Sequence, residues 1–415
     1  MLGRGLRYLP VVAAALALVL VVAGCGGMAS PTASTAASTE TTSNSSTGSG
    51  STTSSGGSSS TSLKTTVSTP KGTVSLTAEQ LAGQRVIYSY VGLTPPAELV
   101  SLIRNGEVAG VVFFRDNISS TSQIRSVIAG LQKANRSSSN PVQAPLLCMV
   151  DQEGGNVRRL PGAPTLSEKR IGASSDPSAS ATSAGTKAGE NLRSAGMNLN
   201  LAPVLDVYRK AGDFDDRYGR SYSSDPKVVS DLGADFITAQ QKVGVAATAK
   251  HFPGLGAAAT KENTDMLPVT LNVSLNSLRT IDELPFQAAI SSGVKLVMVS
   301  WAVYPALDPS LPAGLSSKVV QDELRTRLHF QGVTITDAID AGSLRDYGGL
   351  GARTIRAAQA GMDLFLCAPL TAQNESQGDV VRESLAAGLA DGSLNAEGMQ
   401  QAVERVIALR YDLTR

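Results

Sequence analysis

From about residue 76 onward, short runs of continuous apolar residues alternate with longer stretches in which apolar positions recur every three or four residues. The runs fall at 85–90, 108–114, 145–150, 197–203, 246–250, 294–300, 332–336 and 364–368, eight in all. They lack the apolar/polar alternation of a half-exposed sheet, so they predict strands covered on both faces, as in a parallel sheet. The stretches between them read as helices. The clearest has Asp225 as N-cap and Pro226 in the first helical position, and it keeps Val229, Leu232, Phe236 and Val243 on one face. Gly244 then stands where a left-handed residue closes a helix. Eight strand-then-helix units over roughly 340 residues predict an α/β fold of the (β/α)8 TIM-barrel type, a single domain, rather than an open doubly wound sheet. No G-x-G-x-x-G follows the first run, which argues further against a dinucleotide fold.

The first 25 residues depart from this pattern. Arg4 and Arg7 precede an apolar run at 8–22, and Ala23, Gly24 and Cys25 follow. A basic head, a short apolar core and small residues make an export signal, too short for a comfortable bilayer span. The stretch Val22-Ala23-Gly24-Cys25 resembles a bacterial lipobox, which implies acylation of the Cys25 thiol and a lipid anchor on the outer side of the cell membrane. Residues 28–69 are almost entirely Ser, Thr, Gly and Ala and cannot bury enough surface to offset ordering. The expected organisation is therefore a signal peptide at 1–25, a disordered linker at 26–72 and one barrel domain at 76–415.

Charge and cysteine content narrow the partners. The chain carries 36 basic and 35 acidic side chains for a net charge of +1, so it has no general field to attract nucleic acid. Cys148 and Cys367 lie inside apolar runs and read as buried free thiols. Only two histidines exist, His251 and His329, and no His/Cys cluster has metal-ligand spacing. Neither a metal nor an organic cofactor is expected.

In a barrel the reactive groups stand at the C-terminal ends of the strands. There the third run leads into Asp151-Gln152-Glu153 with Arg159 shortly after, and the fourth into a long loop with Arg217, Arg220 and Tyr222. The fifth ends in Lys250-His251, the sixth in Ser300-Trp301 and the seventh in Thr336-Asp337. Ionisable groups at strand ends are costly to desolvate unless they pair or meet a polar ligand, so the set predicts one polar site on one rim.

The motifs D-Q-E-G-G-N-V-R-R (151–159), G-R-S-Y (219–222), K-H-F-P-G-L-G (250–256), D-E-L-P-F (282–286), V-Y-P-A-L-D (303–308), L-S-S-K-V-V-Q-D-E-L-R (315–325) and I-T-D-A-I (335–339) resemble glycoside hydrolase family 3, in its single-barrel β-N-acetylhexosaminidase branch. The resemblance implies Asp337 as the nucleophile of a retaining β-glycosidase. It also implies Asp151, Arg159, Arg220, Lys250 and His251 as substrate-binding residues that hold a sugar by its hydroxyls. Positive neighbours are expected to depress the Asp337 pKa. The implied substrate carries terminal β-linked N-acetylglucosamine or a related sugar, as in fragments of cell wall.

One part of that pattern is missing. The branch usually reads K-H-F-P-G-H-G followed by D-S-H, whose last histidine is the acid/base; here Leu255 and Asn263-Thr264-Asp265 stand instead. Asp265, or else Glu262, is the candidate carboxylic acid/base. The alternatives are turnover supported by water or an external anion, and an envelope protein that binds carbohydrate without hydrolysing it. The small residues around Leu255 suggest a mobile lid.

Overall fold

The computed structural model describes residues 64–370 and 374–413. Eight parallel strands close a barrel: β1 (Val86–Tyr88), β2 (Gly110–Val112), β3 (Leu147–Val150), β4 (Leu199–Asn200), β5 (Ala246–Phe252), β6 (Leu296–Val299), β7 (Val333–Ala338) and β8 (Leu364–Leu366). Each pairs with the next, and β8 returns to β1 through Phe365 opposite Val86. Each of the eight apolar runs overlaps one of these strands, two of which, β5 and β7, run two residues further. The barrel expected from the sequence is the fold observed.

Alternate residues of these runs serve two different interiors. Ile87, Leu147, Met149, Leu199, Leu296, Met298, Ile335 and Leu364 pack together in one cluster, whereas Val86, Tyr88, Val111, Cys148, Val150 and Val297 pack in another that includes helical residues. Both faces of each strand are thereby covered, which explains why no polar alternation was needed. Cys148 and Cys367 are buried and free, as expected.

A main helix follows each strand, with shorter helical turns in some of the loops: α1 (Ala97–Asn105), α2 (Thr121–Asn135), α3 (Pro177–Ser194), α4 (Pro226–Lys242), α5 (Leu284–Ser291), α6 (Lys318–Arg327), α7 (Leu350–Ala360) and α8 (Gln377–Asp391), with a terminal α9 (Ala396–Asp412). In α6 the turns are wide, and Leu328 N–H reaches back five residues to the Glu323 carbonyl. Helix α4 follows its sequence signals: the Asp225 carboxylate accepts from Lys227 N–H, and Val229, Leu232 and Phe236 are buried. Gly244 has a φ of 82°. No helix of the described residues is long and apolar enough to cross a membrane.

The expected linker at 26–72 overlaps ordered structure. Thr65–Thr69 and Gly72–Leu76 form an antiparallel hairpin whose Val67 and Leu76 pack with Val403, Ile407 and Tyr411 of α9. Ser68 N–H also donates to Glu404 at 3.0 Å. The Ser/Thr-rich composition concealed this hairpin because two apolar side chains carry its packing and the threonines supply β-branched strand surface. The rest of the linker, and the signal with Cys25, lie outside the described residues.

Candidate active site

The C-terminal ends of β3 and β5 deliver opposite charges to one place. Lys250 projects from β5 and reaches Asp151 at 3.0 Å and Glu153 at 2.7 Å, both just past β3. Arg220, from the loop after β4, grips Glu153 through two N–H donors at 2.9 and 3.0 Å and also reaches Asp215 at 3.0 Å. Arg159 approaches Asp151 at 3.4 Å. A guanidinium fork and an ammonium therefore share one buried carboxylate, a bidentate arrangement that fixes direction as well as charge. Burial makes the pairing obligatory, because each ion would be expensive alone.

A second tier lies against the first. His251 Nδ1 stands 2.7 Å from Asp206, which follows β4, and the other Asp206 oxygen accepts from Leu255 N–H at 2.6 Å and His251 N–H at 3.3 Å. Asp337 ends β7, half-buried, with one oxygen accepting from Ala338 N–H at 2.8 Å. The neighbouring carbonyl of Ala338 accepts from the indole of Trp301 at 2.9 Å, which ties the end of β7 to the loop after β6. Asp151, Arg159, Arg220, Lys250 and His251 are thus brought into one network, and Asp337 feels the charges of His251 and Lys250. Arg217 does not join them; it lies over the exposed Tyr218 ring. Tyr222 is buried behind the rim beside Glu168. His329 stands at the far end of the barrel before β7, where it lines a cavity of about 550 Å³ whose charges are paired as Arg405 with Asp363 and Lys295 with Asp412.

Two side chains of the network, Asp206 and Asp215, escaped the sequence reading, and Glu153 was placed at the rim without a role of its own. Glu153 sits inside the D-Q-E-G-G motif, and its position two residues after Asp151 was the available signal. Asp206 and Asp215 become visible only when the loops after β4 and β5 are folded against each other.

The carboxyl groups divide by neighbour. Desolvation would raise Asp151 and Glu153, but Lys250 and Arg159 around the first, and Arg220 and Lys250 around the second, hold both below the usual carboxylate range. Desolvation pushes Asp206 up to about 7 against the N–H groups of Leu255 and His251, and it pushes Asp215 up to about 7 with help from Asp206. Burial, then Arg220, lowers His251 to about 4. A neutral His251 donating Nδ1–H to Asp206 leaves Nε2 as an acceptor. Asp337 does not follow expectation: burial, then the carboxyl of Asp265, raises it, outweighing His251 and Lys250. The positive charges counted in the sequence are already engaged with Asp151 and Glu153.

The loop after β5 is tighter than its composition suggested. Leu255 is buried, and a Cβ added to Gly256 would meet the Val207 carbonyl oxygen at 2.2 Å, so this glycine serves close packing rather than motion. Phe214 N–H donates to Ala258 at 3.0 Å and fastens the loop to its neighbour. Of the two candidate acids, Glu262 turns into its own loop and accepts from Ala259 N–H at 2.6 Å. Asp265 stands on the rim, exposed at its outer side, and is the strongest charged neighbour of Asp337. Its carboxyl is raised by desolvation and by Asp151 and Asp340, against Arg220 and Lys250.

Among the described residues Asp206, Asp215 and His251 offer ligand atoms within 4.8 Å of one another. The Arg220 guanidinium on Asp215 and the bonds already made by Asp206 favour a shared proton there over a cation.

Residues 74–409 match the family model described as the glycosyl hydrolase family 3 N terminal domain. A secreted glycosyl hydrolase of Arthroderma benhamiae is 44% identical over 348 residues, covering 84% of this chain and 97% of that protein. Beta-hexosaminidase A of Pseudoalteromonas piscicida is 31% identical over 85% of this chain and 64% of its own length. Among solved structures, a family 3 β-N-acetylglucosaminidase from a Paenibacillus species superposes with a TM-score of 0.75 at 32% identity, over 82% of this chain and 63% of that one. The β-N-acetylhexosaminidase of Beutenbergia cavernae gives 0.72 at 30% identity, over 81% of this chain and 98% of that one. The chain thus spans under two thirds of the Pseudoalteromonas and Paenibacillus proteins and nearly all of the other two.

Two outcomes follow for stability. Glu153→Gln leaves Lys250 and Arg220 buried with one counter-charge fewer and is expected to cost about 3–5 kcal/mol in denaturant melts. Because the folded pKa values of Asp206 and Asp215 lie above the unfolded value of about 3.9, their contribution is complete below that value and is lost as pH rises through about 7. Thermal melts between pH 6.5 and 8, above the range in which the depressed His251 acts in the opposite sense, should therefore show a declining Tm, with a flatter slope for Asp215→Asn.

Proposed function

The chain belongs to glycosyl hydrolase family 3 through the N-terminal domain of that family, and we propose that it is an exported retaining β-glycosidase that removes terminal β-linked N-acetylglucosamine or a related sugar. We take fragments of cell wall as its substrate and acylated Cys25 as its anchor on the outer side of the membrane. The observation that carries the reading is that Asp337, from the end of β7, stands among the charged side chains delivered by β3, β4 and β5. Similarity to hexosaminidases that span the same barrel supports the choice of sugar.

Each residue takes a role set by its charge state. Asp151, held ionised by Lys250 and Arg159, accepts hydrogen bonds from sugar hydroxyls, and Arg159 and Lys250 donate to them. Neutral His251 accepts a hydrogen bond from a sugar hydroxyl through Nε2. Glu153 and Arg220 position Lys250 and Asp151 from behind. Asp265 and Asp337 form a carboxyl pair in which each raises the proton affinity of the site. Both carboxyls are raised, and Lys250 opposes the rise at each. A pair that retains a proton suits a general acid beside a nucleophile, with Asp337 taken as the nucleophile because it ends β7 and Asp265 as the acid because it stands on the outer turn.

The reaction then runs in two steps. Asp337 attacks the anomeric carbon as Asp265 gives its proton to the departing oxygen, and a covalent glycosyl-enzyme forms. Asp265 next takes a proton from water, which displaces Asp337 and releases the sugar with its β configuration retained.

With purified protein, an aryl β-N-acetylglucosaminide should be hydrolysed and Asp337→Ala should abolish release. Sugar binding without release by the wild type would select the non-hydrolytic reading instead. Asp265→Ala is expected to reduce kcat/KM by roughly 10²- to 10⁴-fold on a disaccharide, whose leaving group needs a proton, and far less on a dinitrophenyl glycoside. Equal losses on both would remove Asp265 from the role.

A further inference from the structure

Asp265 belongs to a loop, and a loop carboxyl must be held still to work as an acid. The holding begins locally. Asn263 Oδ1 accepts from Asp265 N–H at 2.9 Å, and the Asn263 carbonyl accepts from Met266 and Leu267 at 3.0 Å each, so residues 263–267 form a closed turn. Thr264 is buried beneath it, whereas Asp265 and Met266 face solvent.

The turn is then fastened from outside, and the fastening comes from the segment that carries Asp337. Past β7 the chain turns at Ala341, whose N–H donates to Ala338 at 3.0 Å. Gly342 N–H next donates to the Asp265 carbonyl at 2.7 Å, and Ser343 N–H to the Thr264 carbonyl at 3.1 Å. Position 342 has no room for a side chain: an added Cβ would lie 2.3 Å from the Met266 carbonyl oxygen, 2.5 Å from its carbon and 3.0 Å from the Asp265 oxygen. All three are backbone atoms that cannot swing aside. A methyl group there forces the turn back by about 1 Å to reach ordinary contact.

We propose that Gly342, with Ser343 N–H, is a positioning latch for the acid/base, through which the segment bearing Asp337 sets where the Asp265 carboxyl stands. The proposal rests on the assignment of Asp265 above. It adds that the two carboxyls are held in register by one seven-residue stretch, 337–343, and that the absence of a side chain at 342 is what permits it.

The test compares wild type, Gly342→Ala, Asn263→Ala and Asp265→Ala on a β-linked N-acetylglucosamine disaccharide and on a dinitrophenyl β-N-acetylglucosaminide. Displacement by about 1 Å is expected to lower kcat/KM of Gly342→Ala roughly 10²-fold on the disaccharide and less than about threefold on the dinitrophenyl substrate, as for an acid put out of place. Azide should raise kcat of the same variant on the aryl substrate. It attacks the anomeric carbon of the glycosyl-enzyme, a C–N bond forms as the C–O bond to Asp337 breaks, and no proton need be removed, so the weakened base is bypassed. Asn263→Ala loosens the turn from its other side without any clash and should show the same pattern more weakly, about tenfold on the disaccharide. Trp301 fluorescence and the Tm report whether the end of β7 is intact; if Gly342→Ala fails to fold, Asn263→Ala decides. Equal losses on the two substrates, or none, in folded variants would overturn the latch. If Asp265→Ala itself shows no dependence on the leaving group, the assignment beneath the latch fails first, and that result is distinct from a failure of Gly342 alone.

Discussion

Everything at the rim depends on how one buried ammonium is neutralised. Lys250 stands between Asp151 and Glu153, and Glu153 in turn holds Arg220 with both its oxygens. None of these ions tolerates burial without the others, so the ends of β3 and β5 and the loop after β4 have a single compatible arrangement. The barrel supplies the dry wall that makes the requirement strict. Packing alone, from the alternating Ile, Leu, Val and Met residues of the strands, would close a barrel without telling its loops where to stand.

The same pairing distributes the carboxyls into two kinds. The cations are engaged by Asp151 and Glu153, which are therefore ionised with ease. Asp206, Asp215, Asp265 and Asp337 receive what attraction is left, and burial raises them all. A site meant to bind hydroxyls needs the first kind, and a site meant to move a proton needs the second. Here both kinds arise from one shortage of positive charge.

The barrel itself was legible because eight apolar runs without alternation have few other homes, and the strand-end residues followed from the fold. What escaped had one physical cause. Pairing between distant loops decides which charge meets which, and spacing along the chain does not record it. Hence Asp206 and Asp215 were passed over, Glu153 was given no role, and Asp337 was expected to be depressed by cations that Glu153 and Asp151 had already taken. Composition misled in two further places: threonines concealed the hairpin at 65–76, and glycine at 256 suggested motion where it permits contact with Val207. In both, the small or polar residue was read for its average behaviour rather than for what its neighbours require.

In the proposed mechanism a carboxyl of the loop after β5, Asp265, takes the last place of the D-S-H pattern, where the resembled branch has its acid/base histidine. Leu255, in the place where the resembled pattern has histidine, buries its side chain and lends its N–H to Asp206. Asp265 keeps one side in water and is crowded by Asp151, Asp340 and Asp337 on the other, so its proton is retained above the ordinary carboxylate range with no buried partner to supply. In the proposed mechanism the crowding of like charges that makes this rim costly to fold is also what keeps its acid protonated, and the bonds from Gly342 and Ser343 hold the crowded groups together against their repulsion.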